Sequence, residues 1–291
     1  MKKRFKLLTG IIVFILIALV IINVEYITTK IKSIIIERNI DNFDDSSNAA
    51  PSNTYPLLLL HGFNPTYSTR LSEFSFKQMQ QTLSTDMGYV NKGILINETT
   101  CAELRYSGNP IIIRTSYYDQ LSSLTIEDYT KYLKQSIDKI LRCTGAQKID
   151  IIAYSMGGIV VRNYLNTYSH DTIRKLIMVA TPNHGGLYNV GELADYYVGQ
   201  GQSKLPFDFA ELSEDSHFMK ALNLNENVSQ NNIQVYTIAG NIDGKGDGLI
   251  MFNSVPLIYS NHSLVLCGHI IINNPELCPE AYEVIRTILS D

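Results

Sequence analysis

Residues 149–165, IDIIAYSMGGIVVRNYL, begin as an apolar strand, break at Ser155, and continue as a helix from Ile159-Val160-Val161. A strand-to-helix turn this sharp holds its apex residue in a strained backbone conformation with the side chain exposed. Small neighbours, here Ala153 and Gly157, let strand and helix close around it. A hydroxyl presented in this way is a candidate nucleophile, so Ser155 is the first functional residue to test against the rest of the chain.

Outward from this turn, short apolar runs alternate with helical patterns. Residues 56–60, 110–115, 148–153, 174–180 and 233–239 read as strands. Residues 74–83, 126–141, 159–168 and 279–289 read as helices, the second being amphipathic with Tyr129, Tyr132, Leu133, Ile137, Ile140 and Leu141 at helical spacing. Strands this apolar need cover on both faces, which predicts an α/β fold: a mostly parallel sheet with helices on either side. Residues 55–291 read as one such domain. Residues 187–231 interrupt the alternation with a long, polar and aromatic excursion between two core strands, and an insertion of that length predicts a cap or lid.

The N-terminal region has a different character. Lys2, Lys3, Arg4, Lys6 and Lys30 against Glu25 give residues 1–30 a charge of +4, which leaves −8 on the remainder of a chain whose net charge is −4. An acidic body of this kind offers no electrostatic footprint for nucleic acid. Residues 7–24 carry no charge and would form about 27 Å of helix, against a hydrocarbon core of about 30 Å. The stretch is longer than an ordinary signal-peptide core and no A-x-A-like site follows it, so an uncleaved transmembrane anchor is expected. The basic cluster before it predicts a cytoplasmic N-terminus and a body outside the membrane. Residues 31–54, ending in the polar run DDSSNAAPSN, read as a linker. All four cysteines lie in the exported part, where pairing is permitted. Of the three connectivities four cysteines allow, Cys101 with Cys143 and Cys267 with Cys278 is preferred, since the first two flank the same predicted strand and helix and only ten residues separate the others; the alternative is that some are buried free thiols. The cysteine spacing suggests no zinc site.

A serine hydroxyl becomes a useful nucleophile when an imidazole takes its proton and a carboxylate fixes that imidazole. On a doubly covered sheet the expected order is Ser, acid, His. Beyond the strand at 233–239, Asp247 is the better acid and Asp243 the alternative; the same glycine-rich loop could also be a surface turn or a cation site. His269 follows a strand-like run at 264–266 and precedes the last helix, the place for a base reaching over the sheet edge, with His262 as its competitor. His170 and His217 read as surface residues and His184 as a hydrogen-bonded loop residue. Two backbone amides suit an oxyanion: Met156, directly after the nucleophile, and Phe63, after Gly62 at the end of the first core strand.

Taken together, LLLLHGF (57–63), IDIIAYSMGGIVVRNYL (149–165), TPNHGG (181–186), LSEDSHFMKALN (212–223), GDGLI (246–250) and GHIIINNPE (268–276) resemble the lipase branch of the α/β-hydrolase superfamily. The likeness is to bacterial triacylglycerol lipases and GPI inositol-deacylase-like proteins, and it spans residues 56–291. It implies an α/β-hydrolase fold and a triad of Ser155, Asp247 and His269. It also implies oxyanion donors at Phe63 and Met156, with 187–231 as a cap over an acyl pocket. The expected activity is that of a membrane-anchored serine ester hydrolase acting on lipid or other apolar esters without cofactor or metal. Acyl transfer by the same triad and a non-catalytic surface-binding role are the alternatives. Ala153 stands where such turns often begin with Gly, and Tyr154 where lipases often have His.

Overall fold

The computed structural model describes residues 54–63, 74–105, 108–115, 125–168, 171–189, 210–224, 226 and 233–291. The expected anchor, the expected linker up to residue 53, His170 and most of the expected cap lie outside the described residues. Among those described, no helix is long and apolar enough to cross a membrane.

The described elements are, in chain order, β1 (Leu57–Leu60), α1 (Lys77–Met87), β2 (Val90–Leu95), α2 (Cys101–Leu104), β3 (Ile111–Thr115), α3 (Ile126–Thr144), β4 (Ile149–Tyr154), α4 (Met156–Thr167), β5 (Ile173–Val179), α5 (His217–Leu224), β6 (Gln234–Gly240), β7 (Asn261–Val265) and α6 (Pro279–Ser290). The strands form one seven-stranded sheet in the order β2-β3-β1-β4-β5-β6-β7, and every pairing is parallel. Because the order reverses around β1, the carboxyl ends of β1 and β4 border a crevice of the kind that holds ligands in open α/β sheets.

Alternation along the strands divides the core into two layers. Leu58, Leu60, Ile151 and Ala153 pack with Tyr129, Ile137, Val160 and Tyr164 of α3 and α4, whereas Leu57, Leu59 and Ile152 pack with Met79, Leu83, Ala281 and Ile285 of α1 and α6. Each fully buried aliphatic side chain stabilises the fold by about 1.5–3 kcal/mol, so the centre of the sheet is its firmest part. Helix α3 starts at a capping box, Thr125 with Asp128, and stops at Gly145, whose φ of 69° suits a left-handed cap.

The structure departs from the expected elements at the edges and at the turn. Helix α4 begins at Met156 rather than Ile159: Gly157 and Gly158 have poor helix propensity, and packing demands them there. Strand β2, VNKGIL, carries too little apolar pattern to be read from sequence; it is an edge strand whose register shifts between Asn91 and Ile94. Strand β7 runs Asn261–Val265 rather than 264–266, because its outer edge and one face tolerate polar residues. Helix α1 starts at Lys77 rather than at residue 74. Both expected disulfides are formed, Cys101–Cys143 between α2 and the end of α3, and Cys267–Cys278 between the exit of β7 and the start of α6.

Candidate active site

Strand β4 lies between β1 and β5 and delivers Ser155 at the end of the sheet where the loops converge. Ser155 adopts φ 52° and ψ −127°, a conformation few L residues accept, and its cost is on the order of 1–3 kcal/mol. The surrounding core holds it there: the Ser155 amide donates to Val179 O at 2.8 Å, and Gly158 N donates back to Ser155 O at 3.0 Å. Two glycines make the approach possible. A Cβ on Gly157 would lie 2.4 Å from His61 O, and one on Gly62 would lie 2.8 Å from Ser155 Cβ. No rearrangement of a flexible side chain could relieve the first of these contacts, since its partner is backbone.

The residues expected to cooperate with Ser155 arrive from two loops on the far side of the sheet. The His269 Nε2 lies 3.1 Å from Ser155 Oγ, and Nδ1 lies 2.7 Å from Asp247 Oδ2. Facing a carboxylate, Nδ1 carries the proton, which leaves Nε2 as the acceptor for the serine hydroxyl. The other Asp247 oxygen accepts from the amides of Leu249 at 3.0 Å and Ile250 at 2.7 Å, so the carboxylate is fixed by three donors. The His269 amide donates to Asp247 O at 2.8 Å, joining the two loops through their backbones as well. Ser155, Asp247 and His269 are all buried.

The alternative acid and base sit elsewhere. Asp243 accepts from the amides of Lys245 and Gly246 and from the Tyr188 hydroxyl, and those backbone bonds hold its carboxyl below the usual range. It shapes the glycine-rich turn. His262 bonds Thr237 Oγ1 at 3.0 Å, and burial lowers its imidazole pKa. His184 faces Ser254 O with Nδ1 at 3.1 Å and Glu226 with Nε2 at 2.7 Å, while His217 is exposed. Among the described residues no group of three or more His, Cys, Asp and Glu side chains could hold a metal ion.

At the mouth of the site, Met156 is the first residue of α4, so its amide has no acceptor within its own helix and belongs to the positive end of the helix dipole. Phe63 follows Gly62, which packs directly against Ser155. His61 supports this turn from below: its Nδ1–H donates to Gly62 O at 2.6 Å, and burial pushes its pKa down to about 4, keeping the ring neutral. The described part of the 187–231 segment is fastened to the body. Glu211 accepts from the Ile126 amide at 2.8 Å, Arg162 donates to Asn223 at 2.9 Å, and Glu226 accepts from Ile258 N at 3.1 Å.

Sequence reading missed Tyr154 as a partner of His269, and Arg162 and Glu226 as docking points. Only Tyr154 carried a signal, as an unusual residue directly before the serine.

Comparison with known proteins agrees with the fold. No curated protein matches the chain. Among solved structures, the mature Bacillus licheniformis lipase BlEst2 superposes with a TM-score of 0.57 at 16% identity, covering 82% of this chain and 94% of that one. The product of gene lin2722 from Listeria innocua superposes with a TM-score of 0.50 at 19% identity, covering 80% and 92%. Phospholipase PlaB from Legionella pneumophila gives 0.50 at 18% identity, with 70% of this chain spanning 46% of that one. The family model described as alpha/beta hydrolase of unknown function (DUF915) matches residues 44–261, and the chain therefore belongs to that family.

Proposed function

We propose that this hydrolase is a serine carboxylic-ester hydrolase anchored to the membrane by residues 7–24, with its body on the extracytoplasmic side, acting on lipid or other apolar esters. The observation that carries the reading is the unbroken hydrogen-bonded chain from Ser155 Oγ through His269 to Asp247. In the first half-reaction the Oγ proton passes to His269 Nε2 as Oγ bonds to the ester carbonyl carbon. The oxyanion is held by the amides of Phe63 and Met156. Collapse of the tetrahedral intermediate breaks the bond to the alcohol oxygen, which takes the proton from His269 and leaves Ser155 acylated. Water then repeats the sequence, with His269 again accepting and returning a proton, and the acid departs. Asp247 holds the imidazole orientation and balances its charge while it is protonated.

An apolar substrate suits the surroundings. Ile270, beside His269, is 86% exposed, and Ile242, packed over Gly248 and Gly268, is 60% exposed. Residues 187–231 would cap the acyl group. The test is hydrolysis of p-nitrophenyl esters from acetyl to palmitoyl by the full chain in detergent, with fluorophosphonate labelling alongside. Ser155→Ala is expected to lose turnover by on the order of 10⁶-fold and all labelling. A folded parent that cleaves no ester of any length and takes no label would refute the proposal. Anchoring is checked by retention of the chain in alkali-washed membranes, which deletion of residues 7–24 should abolish.

A further inference from the structure

Tyr154, the last residue of β4, meets His269 at two points. Its hydroxyl donates to the His269 carbonyl at 2.7 Å, and its ring lies 5.1 Å from the imidazole at an interplanar angle of 35°. The tyrosine is itself confined. A Cβ on Gly62 would come within 3.0 Å of Tyr154 Cδ1, so the oxyanion turn backs one side of the ring, and Phe76 meets it edge-on at 6.2 Å. Burial, reinforced by the charge of Asp247, raises the phenol pKa well above its ordinary value, so the hydroxyl remains a donor. The groups facing the imidazole are then Asp247 at Nδ1, Ser155 at Nε2 and the Tyr154 ring beside it.

We infer that Tyr154 is a positioning residue for the general base: its hydroxyl sets the backbone of His269, and its ring sets the imidazole plane and favours the imidazolium formed when Ser155 gives up its proton. The inference rests on the ester-hydrolase reading. An aromatic face within about 6 Å of a cation is attractive, more so when water is excluded, and this ring is already in place before the charge appears. It therefore acts on the transition state more than on substrate binding, which predicts a loss in kcat rather than a rise in KM.

The full chain is assayed with Tyr154→Phe and Tyr154→Leu on the p-nitrophenyl ester the parent cleaves best, with fluorophosphonate labelling alongside. Tyr154→Phe keeps the ring and loses the hydrogen bond, so kcat should fall about threefold to tenfold with KM unchanged and the acid limb of the pH–rate profile unmoved. Tyr154→Leu loses both contacts. Its kcat should fall on the order of 30-fold or more, and its acid limb should move to lower pH because the imidazolium has lost its neighbouring ring. Should Tyr154→Leu fail to fold, the Phe variant decides. An active parent whose folded variants keep kcat within twofold, or change only KM, overturns the inference and leaves the hydrolase reading standing. A parent that is neither active nor labelled removes both.

Discussion

Ser155 and its two partners, His269 and Asp247, are held in place by different physics. Ser155 sits where β4, buried at every position but its last, meets the buried first turns of α4, and its strained backbone is enforced by steric exclusion: Gly157 against His61 O, Gly62 against Ser155 Cβ, and two backbone hydrogen bonds. Asp247 and His269 lie on loops beyond β6 and β7, toward the sheet edge, where apolar cover thins. Polar bonds and a covalent link do the fastening there: three donors to the Asp247 carboxylate, the His269 amide on Asp247 O, the Tyr154 hydroxyl, and the Cys267–Cys278 bridge two residues before His269. Packing resists deformation in every direction, whereas a hydrogen bond fixes one direction, so the loop side needs many of them.

That contrast can be broken most severely at the acid. Asp247→Asn should lower turnover by on the order of 10³–10⁴-fold by disturbing the His269 tautomer, while Asp243→Asn should leave turnover near the parent's; steady-state kinetics on one ester separates the two. Equal losses would mean the acid side has been misassigned.

The two disulfides sharpen the contrast. Replacing Cys101 and Cys143 by Ser opens a link of sequence separation 42 and should cost about 4 kcal/mol, with kcat of the folded enzyme unchanged. Replacing Cys267 and Cys278 opens a separation of 11 and should cost about 3 kcal/mol, yet it should lower kcat because the segment carrying His269 loosens. Urea unfolding and kcat measured on both pairs check the expected reversal of rank.

Acid should strike the packed side through His61. Its pKa falls from 6.5 to about 4 on folding because the ring is buried. Between those values the unfolded chain binds a proton that the folded chain does not. Stability is therefore complete above the unfolded value and lost as pH falls through the folded one, by about 3 kcal/mol in total. His61→Gln should flatten the dependence of unfolding free energy on pH between 7 and 4.5; an unchanged slope would show that the ring stays solvated.

Where apolar pattern was strong, the sequence was readable. The five central strands, the helices α3 and α6 and the serine turn follow from periodicity and from glycine placement, because each is decided by residues adjacent in the chain. The start of α4 was read three residues late because Gly157 and Gly158 disfavour a helix locally; the requirement for them comes from Leu60, His61 and Thr181, which are distant in sequence. Strand β2 escaped notice for the opposite reason: an edge strand needs little apolar pattern once β3 offers it a ladder.

By itself, then, the chain determined an α/β body, a serine at the apex of a strand-to-helix turn, an acid and a base in the right order after it, and a basic apolar N-terminus. Local propensity and burial suffice for these. Only the tertiary structure decided that His269 rather than His262 reaches Ser155, that Asp243 serves its own turn while Asp247 meets the His269 imidazole, and that Tyr154 lies between the Gly62 turn and that imidazole. Each of these depends on which loops meet at the carboxyl end of the sheet, and that meeting is made by contacts more than a hundred residues apart, such as Tyr154 with His269 and Ser155 with His269.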